Sequence, residues 1–151
     1  TFHADGKFHA VTEIPRVATP DPAYPLWLFS VSDRARQNSQ TFDRDDRSLE
    51  PAVVHPDVAL PLGLRDGDTA VLVSPQGRLT VRLHFDARQR RDTVRCAKGG
   101  ALKHDRAVNV LTGDALTDFG EGAAYYDTRV MLAHHSSTRW GLPRIVRPSA
   151  E

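Results

Sequence analysis

The sequence predicts an all-β domain, mainly short strands closed into a barrel or packed as a sandwich, and three features carry that expectation. Leu79 to Phe85 alternates apolar and polar residues, the period of a strand with one face in a core. Turn signals recur between short apolar runs, among them Asp66-Gly67-Asp68 and Ser74-Pro75-Gln76-Gly77. No apolar pattern keeps helical spacing for more than about one turn. Many short strands with little helix leave barrel and sandwich as the stable architectures.

Along the chain, residues 1–23 read as a connector, with a short hairpin expected around Asp5-Gly6. Tyr24 to Val31 holds the run Leu26-Trp27-Leu28-Phe29, whose continuous apolarity suggests a strand buried on both faces. Ser32 to Leu49 is polar and charged, and a loop of that length inside a compact domain points to function or disorder. Ala52 to His55 forms a strand. Pro56 to Leu62 makes about one helical turn, started by Pro56 and stopped by Gly63, because Pro61 would clash with a longer helix. Thr69 to Ser74 and Leu79 to Phe85 flank a tight turn. In the second of these Leu79, Val81, Leu83 and Phe85 face the core, while Thr80, Arg82 and His84 face water.

Thr93 to Ala97 is a further strand and contains Cys96, a small buried residue in this reading. Lys98-Gly99-Gly100 is a loop able to bend sharply. Val108 to Leu111 is short and apolar. Asp114 to Asp127 is a Gly- and Ala-rich loop, and Thr128 to Leu132 is the last strand. The barrel is therefore bounded at 24–132, and 133–151 reads as a tail in which His134 and His135 sit without a role.

Composition excludes several classes. The 151 residues fit one domain, and 26% charged with 40% hydrophobic residues is ordinary for a globular protein. A net charge of +1 argues against a general nucleic-acid binder, which needs a basic excess on one face. No apolar run approaches the ~20 residues that span a bilayer, so no membrane partner is expected. Of the 20 basic residues only Lys7, Lys98 and Lys103 are lysines, and the arginine excess suits bidentate contact with phosphate or carboxylate. The single cysteine rules out an intrachain disulfide and a cysteine-held cluster. The chain opens at Thr1 without a signal-peptide pattern and reads as a piece of something longer. Its compartment is read as cytoplasmic, with the periplasm as the alternative.

The segment Leu64-Arg65-Asp66-Gly67-Asp68-Thr69 resembles the Gly-Asp box of double-psi β-barrels. Gly67 supplies a backbone conformation that a β-carbon would hinder, and Asp68 can hold nearby amides. The ordered pieces "GKF", "YPLWLFSVS", "RQNSQ", "VHPDVALPLGLRDGD", "VSPQGRLTVRLHFD", "KGG", "VNVLT", "TDFG" and "AYYDTRV" carry the resemblance further. Together they resemble the molybdopterin dinucleotide-binding domain that ends members of the dimethyl sulfoxide reductase superfamily, over roughly Phe2 to Leu132.

That resemblance implies a double-psi β-barrel of about six strands with short helical turns. It implies a domain that helps hold bis-molybdopterin guanine dinucleotide in a molybdenum or tungsten oxidoreductase. The domain supplies no metal ligand and no catalytic residue, and the isolated chain is expected to be inactive. The remaining domains of the parent oxidoreductase are the expected partners, with an electron-transfer partner beyond them.

The cofactor offers pyrophosphates, a pterin and a guanine, which call for amide, Arg, Lys, Asn, Gln and Ser donors. The resemblance places such contacts in two regions. The first is the loop with Ser32, Arg34, Arg36, Gln37, Asn38, Ser39 and Gln40. There Ser39 and Gln40 match the family's "HSQ" stretch and Asn38 stands where His is frequent. The second is late in the chain: Lys98, Gly99 and Gly100, then Asn109 and Thr112 of an "N-x-L-T" match, then Asp118 and Tyr126. Of these, the Arg36-to-Gln40 loop, Lys98-Gly99-Gly100, Asn109 and Asp118 are expected to gather at one end of the barrel. The alternative from another class is a double-psi barrel used for protein interaction, as in the amino-terminal domains of some ATPases. Asn109 with Ser39-Gln40 favours the cofactor reading. A self-cleaving decarboxylase of the same fold would need a Gly-Ser pair, and none occurs.

Overall fold

In the computed structural model of the chain, residues 6, 21–34, 49–104, 106–117, 122–124 and 126–135 are described. Six strands form the domain: β1 (Leu26–Val31), β2 (Glu50–Val54), β3 (Thr69–Val73), β4 (Arg78–Phe85), β5 (Thr93–Ala97) and β6 (Arg129–His134). They close into a barrel in the order β1-β5-β2-β4-β3-β6, which meets the all-β expectation. β1 runs parallel to β5 and β2 parallel to β4, and the other four pairings are antiparallel. Closure leaves no open sheet edge among the described strands.

Alternation decides what fills the interior. On β4, Leu79, Val81 and Leu83 are buried while Arg82 and His84 are exposed. With Leu28, Val54, Leu72, Val94 and Val130 from the other strands they make one apolar cluster. β1 departs from the expectation of burial on both faces. Its Leu26, Leu28 and Ser30 point inward, whereas Trp27 and Phe29 point outward and Phe29 is 42% exposed. A barrel strand has one inner and one outer face, so a continuous apolar run here means partly covered aromatics outside. The guanidinium carbon of Arg129 lies 3.3 Å from the Trp27 ring centre, and Phe29 stacks on Tyr126.

The lower end of the barrel, where β1 begins, is held by turns. Pro56–Ala59 is the single helical turn expected, α1, continued as a 3-10 turn over Leu60–Leu62 and stopped by Gly63 at φ 74°. His55 caps it, its Nδ1 accepting from the Asp57 amide at 3.0 Å. The Gly67-Asp68 turn is sewn to β4. Gly67 sits at φ 84°, the Asp68 carboxylate accepts from the Arg65 amide at 2.8 Å, and the Leu83 amide donates to the Asp68 carbonyl at 2.9 Å. Beyond β4, the Arg88 side chain hydrogen-bonds Asp86 and holds its carboxyl down to about 2.

Val108–Leu111, the short apolar run, is a 3-10 turn that drops Val108 and Leu111 into the barrel mouth while Asn109 faces out. One strand boundary differs from the sequence reading. β6 runs to His134, two residues past the expected boundary, with Ala133 paired to Val71 and His134 to Ala70. The His134 ring donates from Nε2 to the Leu62 carbonyl at 2.6 Å, so this histidine ties β6 to the turn after α1. Of the hairpin expected around Asp5-Gly6, only Gly6 is described, at φ 69°. The rest of that connector and residues 136–151 of the tail lie outside the described residues.

Candidate functional site

Strand direction puts the candidate loops together. β1 and β5 are parallel, so Ser32 and Lys98 leave the same upper end, and the Lys98 amide donates to the Val31 carbonyl at 2.7 Å. β2 is antiparallel to β5, so the chain re-enters the barrel at Glu50 on that end too. The Ser74–Gly77 turn between β3 and β4 and the approach to β6 through Tyr126 complete the rim.

Among the sequence candidates, Ser32, Arg34, Lys98, Gly99, Gly100, Asn109, Thr112 and Tyr126 all lie at this upper end. Ser32 and Arg34 are exposed, and with Val31, Pro51, Val53 and Arg95 they line a cleft of about 270 Å³ on the flank below the rim. The Lys98 ammonium stands 6.0 Å from the Tyr126 ring centre, and Tyr126 stacks on Phe29 at 5.6 Å. Gly99 and Gly100 both take positive φ, 96° and 89°, which turns the chain back over the mouth. Arg36, Gln37, Asn38, Ser39, Gln40 and Asp118 lie outside the described residues.

Asn109 is the most informative of the set. Its backbone carbonyl accepts from the Thr112 amide and hydroxyl, at 3.2 and 3.0 Å, which closes the 3-10 turn. Its side-chain amide has no hydrogen bond among the described residues and stands in solvent. The turn therefore does not need the Asn side chain, which is left free to meet a ligand. The donors gathered here are an ammonium, a guanidinium, a carboxamide and hydroxyls beside a glycine turn whose backbone can be approached closely. That set fits phosphate oxygens and the polar edge of a heterocycle. It does not fit a metal ion, and among the described residues no three His, Cys, Asp or Glu come together to hold one. Nor, among them, is any helix long and apolar enough to cross a membrane.

Comparison with known families agrees with this donor chemistry. The sequence pattern of the family described as "Molydopterin dinucleotide binding domain" matches residues 26–129. The chain belongs to this family. As a molybdopterin dinucleotide-binding domain it is similar to "Probable oxidoreductase YyaE" of Bacillus subtilis (strain 168), 26% identical over 110 residues. That match takes in 72% of this chain and 16% of the relative. It is also similar in fold to "Acetylene Hydratase from Pelobacter acetylenicus", with a TM-score of 0.58 and 21% identity. That likeness covers 74% of this chain and 18% of the solved one. The chain thus spans under a fifth of the length of either protein.

Two features of this dinucleotide-binding domain escape sequence reasoning. One is a buried ion pair: Arg106 Nη2 donates to Glu50 Oε2 at 3.3 Å, with both side chains almost wholly out of water. Glu50 occupies an inward position of β2, and that parity was its only sequence signal. The other is the close fit of the Ser74–Gly77 turn against Val110, where a β-carbon on Gly77 would come within 2.5 Å of the Val110 carbonyl oxygen. Cys96 lies under the same end and is buried. Burial, and then the Glu50 carboxylate, push its thiol well above the ordinary cysteine range. Thiolate is the reactive form, so Cys96 should resist a disulfide reagent at pH 8 in the native protein and react once denatured. Native labelling as fast as that of the unfolded chain would contradict this.

Proposed function

We propose that the upper end of this barrel contributes part of the site for molybdopterin guanine dinucleotide in a larger molybdenum or tungsten oxidoreductase. The observation that carries the reading is the convergence of polar groups, the exposed Arg34 and Asn109 with the half-buried Lys98 and Thr112, around the Gly99-Gly100 turn. They come from loops separated by up to about eighty positions, and a barrel needing them only for folding has no reason to collect them. The cofactor supplies the redox chemistry when bound. The chain's own groups bind and orient it: Lys98 and Arg34 meet phosphate charge, the Asn109 carboxamide meets a ring edge, and the glycine turn admits close backbone approach. Ser39, Gln40 and Asp118 complete the donor set in this proposal.

The remainder of the parent polypeptide would cover this end and bring the other half of the site. Alone, the barrel should bind a guanine nucleotide weakly and show no turnover with any donor and dye. The test is cofactor retention in the parent protein. Asn109→Ala should lower pterin and metal content per polypeptide, by about tenfold if one well-made hydrogen bond of ~1.4 kcal/mol is lost. His84→Ala, on the exposed outer face of β4, should leave both unchanged. Equal content in the two variants, at matched stability, would remove Asn109 from the site.

A further inference from the structure

We infer that the Glu50–Arg106 ion pair is a positioning device that holds the cofactor-facing loops in register, an inference that rests on the functional reading above. The two residues are 56 positions apart, and their side chains are 0% and 5% exposed. Each is rooted in a different loop system. Glu50 is the first residue of β2, where the chain returns from the Ser32–Leu49 segment. Arg106 lies between the Lys98-Gly99-Gly100 turn and the Val108–Leu111 turn that presents Asn109.

Arg106 controls both neighbours through its backbone. Its amide donates to the Ala101 carbonyl at 3.3 Å, and its own carbonyl packs so closely on Gly100 that a β-carbon there would sit 2.2 Å from the oxygen. On the other side Ala107 and Val108 are buried, so the turn that plugs the barrel mouth with Val108 and Leu111 (the plug) starts immediately after it. The Arg106 backbone thus cannot shift without moving the glycine turn on one side and Asn109 on the other, and the guanidinium on Glu50 anchors that backbone.

Stability alone is a poor reason for such a pair. Two charges taken out of water lose hydration that their attraction repays only in part, and apolar residues of similar size often stabilise a fold as well or better. What an apolar contact lacks is direction. Val108 and Leu111 could slide in the barrel mouth with little loss of contact, whereas a guanidinium and a carboxylate are satisfied only over a narrow range of separation and angle. The pair thus restricts where the plug can sit, which a site built from several loops requires.

The experiment separates register from stability in the 151-residue chain. E50M/R106M replaces both charges by apolar groups of similar length. Its melting midpoint should equal or exceed that of the unaltered chain, while amides of residues 98–112 exchange hydrogen about tenfold faster and those of β3 and β4 do not change. Unchanged exchange at residues 98–112 in a folded double variant would overturn the inference. If that variant does not fold, E50D keeps the charge with a shorter reach, and faster exchange confined to residues 98–112 is again expected; no change in it would overturn the proposal. Guanosine 5′-diphosphate, titrated while amide resonances are followed, supplies the second arm. It should shift Lys98 and Asn109 in the unaltered chain and fail to do so in the double variant. Absence of shifts in the unaltered chain would count against the cofactor reading, and the exchange arm would still decide the role of the pair.

Discussion

Arg106→Leu is expected to cost the fold about 3–5 kcal/mol, measured by urea unfolding, because it leaves the Glu50 carboxylate buried without its guanidinium. Glu50 is 0% exposed and points inward at the head of β2, so solvent reaches its carboxylate only if the mouth opens. A loss of this size is a large share of the stability of a domain this small. The comparison is Arg88→Ala, which breaks the ion pair with Asp86 at the lower end. Arg88 is 91% exposed, and water and salt screen that pair, so no measurable change is expected. A small effect of Arg106→Leu, comparable with that of Arg88→Ala, would show that the Glu50 carboxylate is compensated without the guanidinium.

Gly100→Ala should cost about 2–5 kcal/mol, the sum of backbone strain at positive φ and forced displacement of a packed neighbour. At φ 89° an alanine is already strained, and its β-carbon would lie 2.2 Å from the Arg106 carbonyl oxygen and 2.8 Å from the carbonyl carbon. Neither atom is the end of a flexible side chain, so the plug itself would have to move. Gly67→Ala separates the two contributions. Gly67 has φ 84° with nothing within 4 Å of the place an alanine methyl would take, so only the strain remains, about 1–2 kcal/mol. Equal losses from the two substitutions in denaturant titrations would mean that the close approach at Gly100 relaxes without cost.

The legible parts of the fold were those encoded by neighbours in the chain. Alternation in Leu79 to Phe85 foretold both the strand and its buried face, and the prolines and Gly63 bounded the one helical turn correctly. The Gly67-Asp68 turn was readable because its need for positive φ and for a carboxylate acceptor is local. Where a short apolar run carries no period, local reading assigns no element: Val108-Asn109-Val110-Leu111 suits a strand or a tight helical turn equally well, and the barrel mouth selects the turn. β1 was misread for a related reason, since apolarity reports that a side chain is covered but not by what. Trp27 and Phe29 are partly covered from outside by Arg129 and Tyr126, about a hundred positions away.

The candidate site divides along the same line. Residue types and their order in the chain were enough to nominate Ser32, Arg34, Lys98, Gly99, Gly100, Asn109, Thr112 and Tyr126, because each sits in a short motif that survives as a string. The expected gathering covered Arg36 to Gln40, Lys98-Gly99-Gly100, Asn109 and Asp118, of which Arg36 to Gln40 and Asp118 lie outside the described residues. Strand direction decides the rest, and the parallel β1–β5 pairing is what brings Ser32 beside Lys98. The Glu50–Arg106 pair had no motif at all. Neither residue is unusual among its neighbours, and the pairing exists only because closure of the barrel carries the head of β2 under the segment that plugs its mouth. Local pattern fixes the parity of a strand and the chemistry of a turn. Which distant charges meet in a dry interior follows from how the strands close, and the cost of burying a charge makes that meeting consequential.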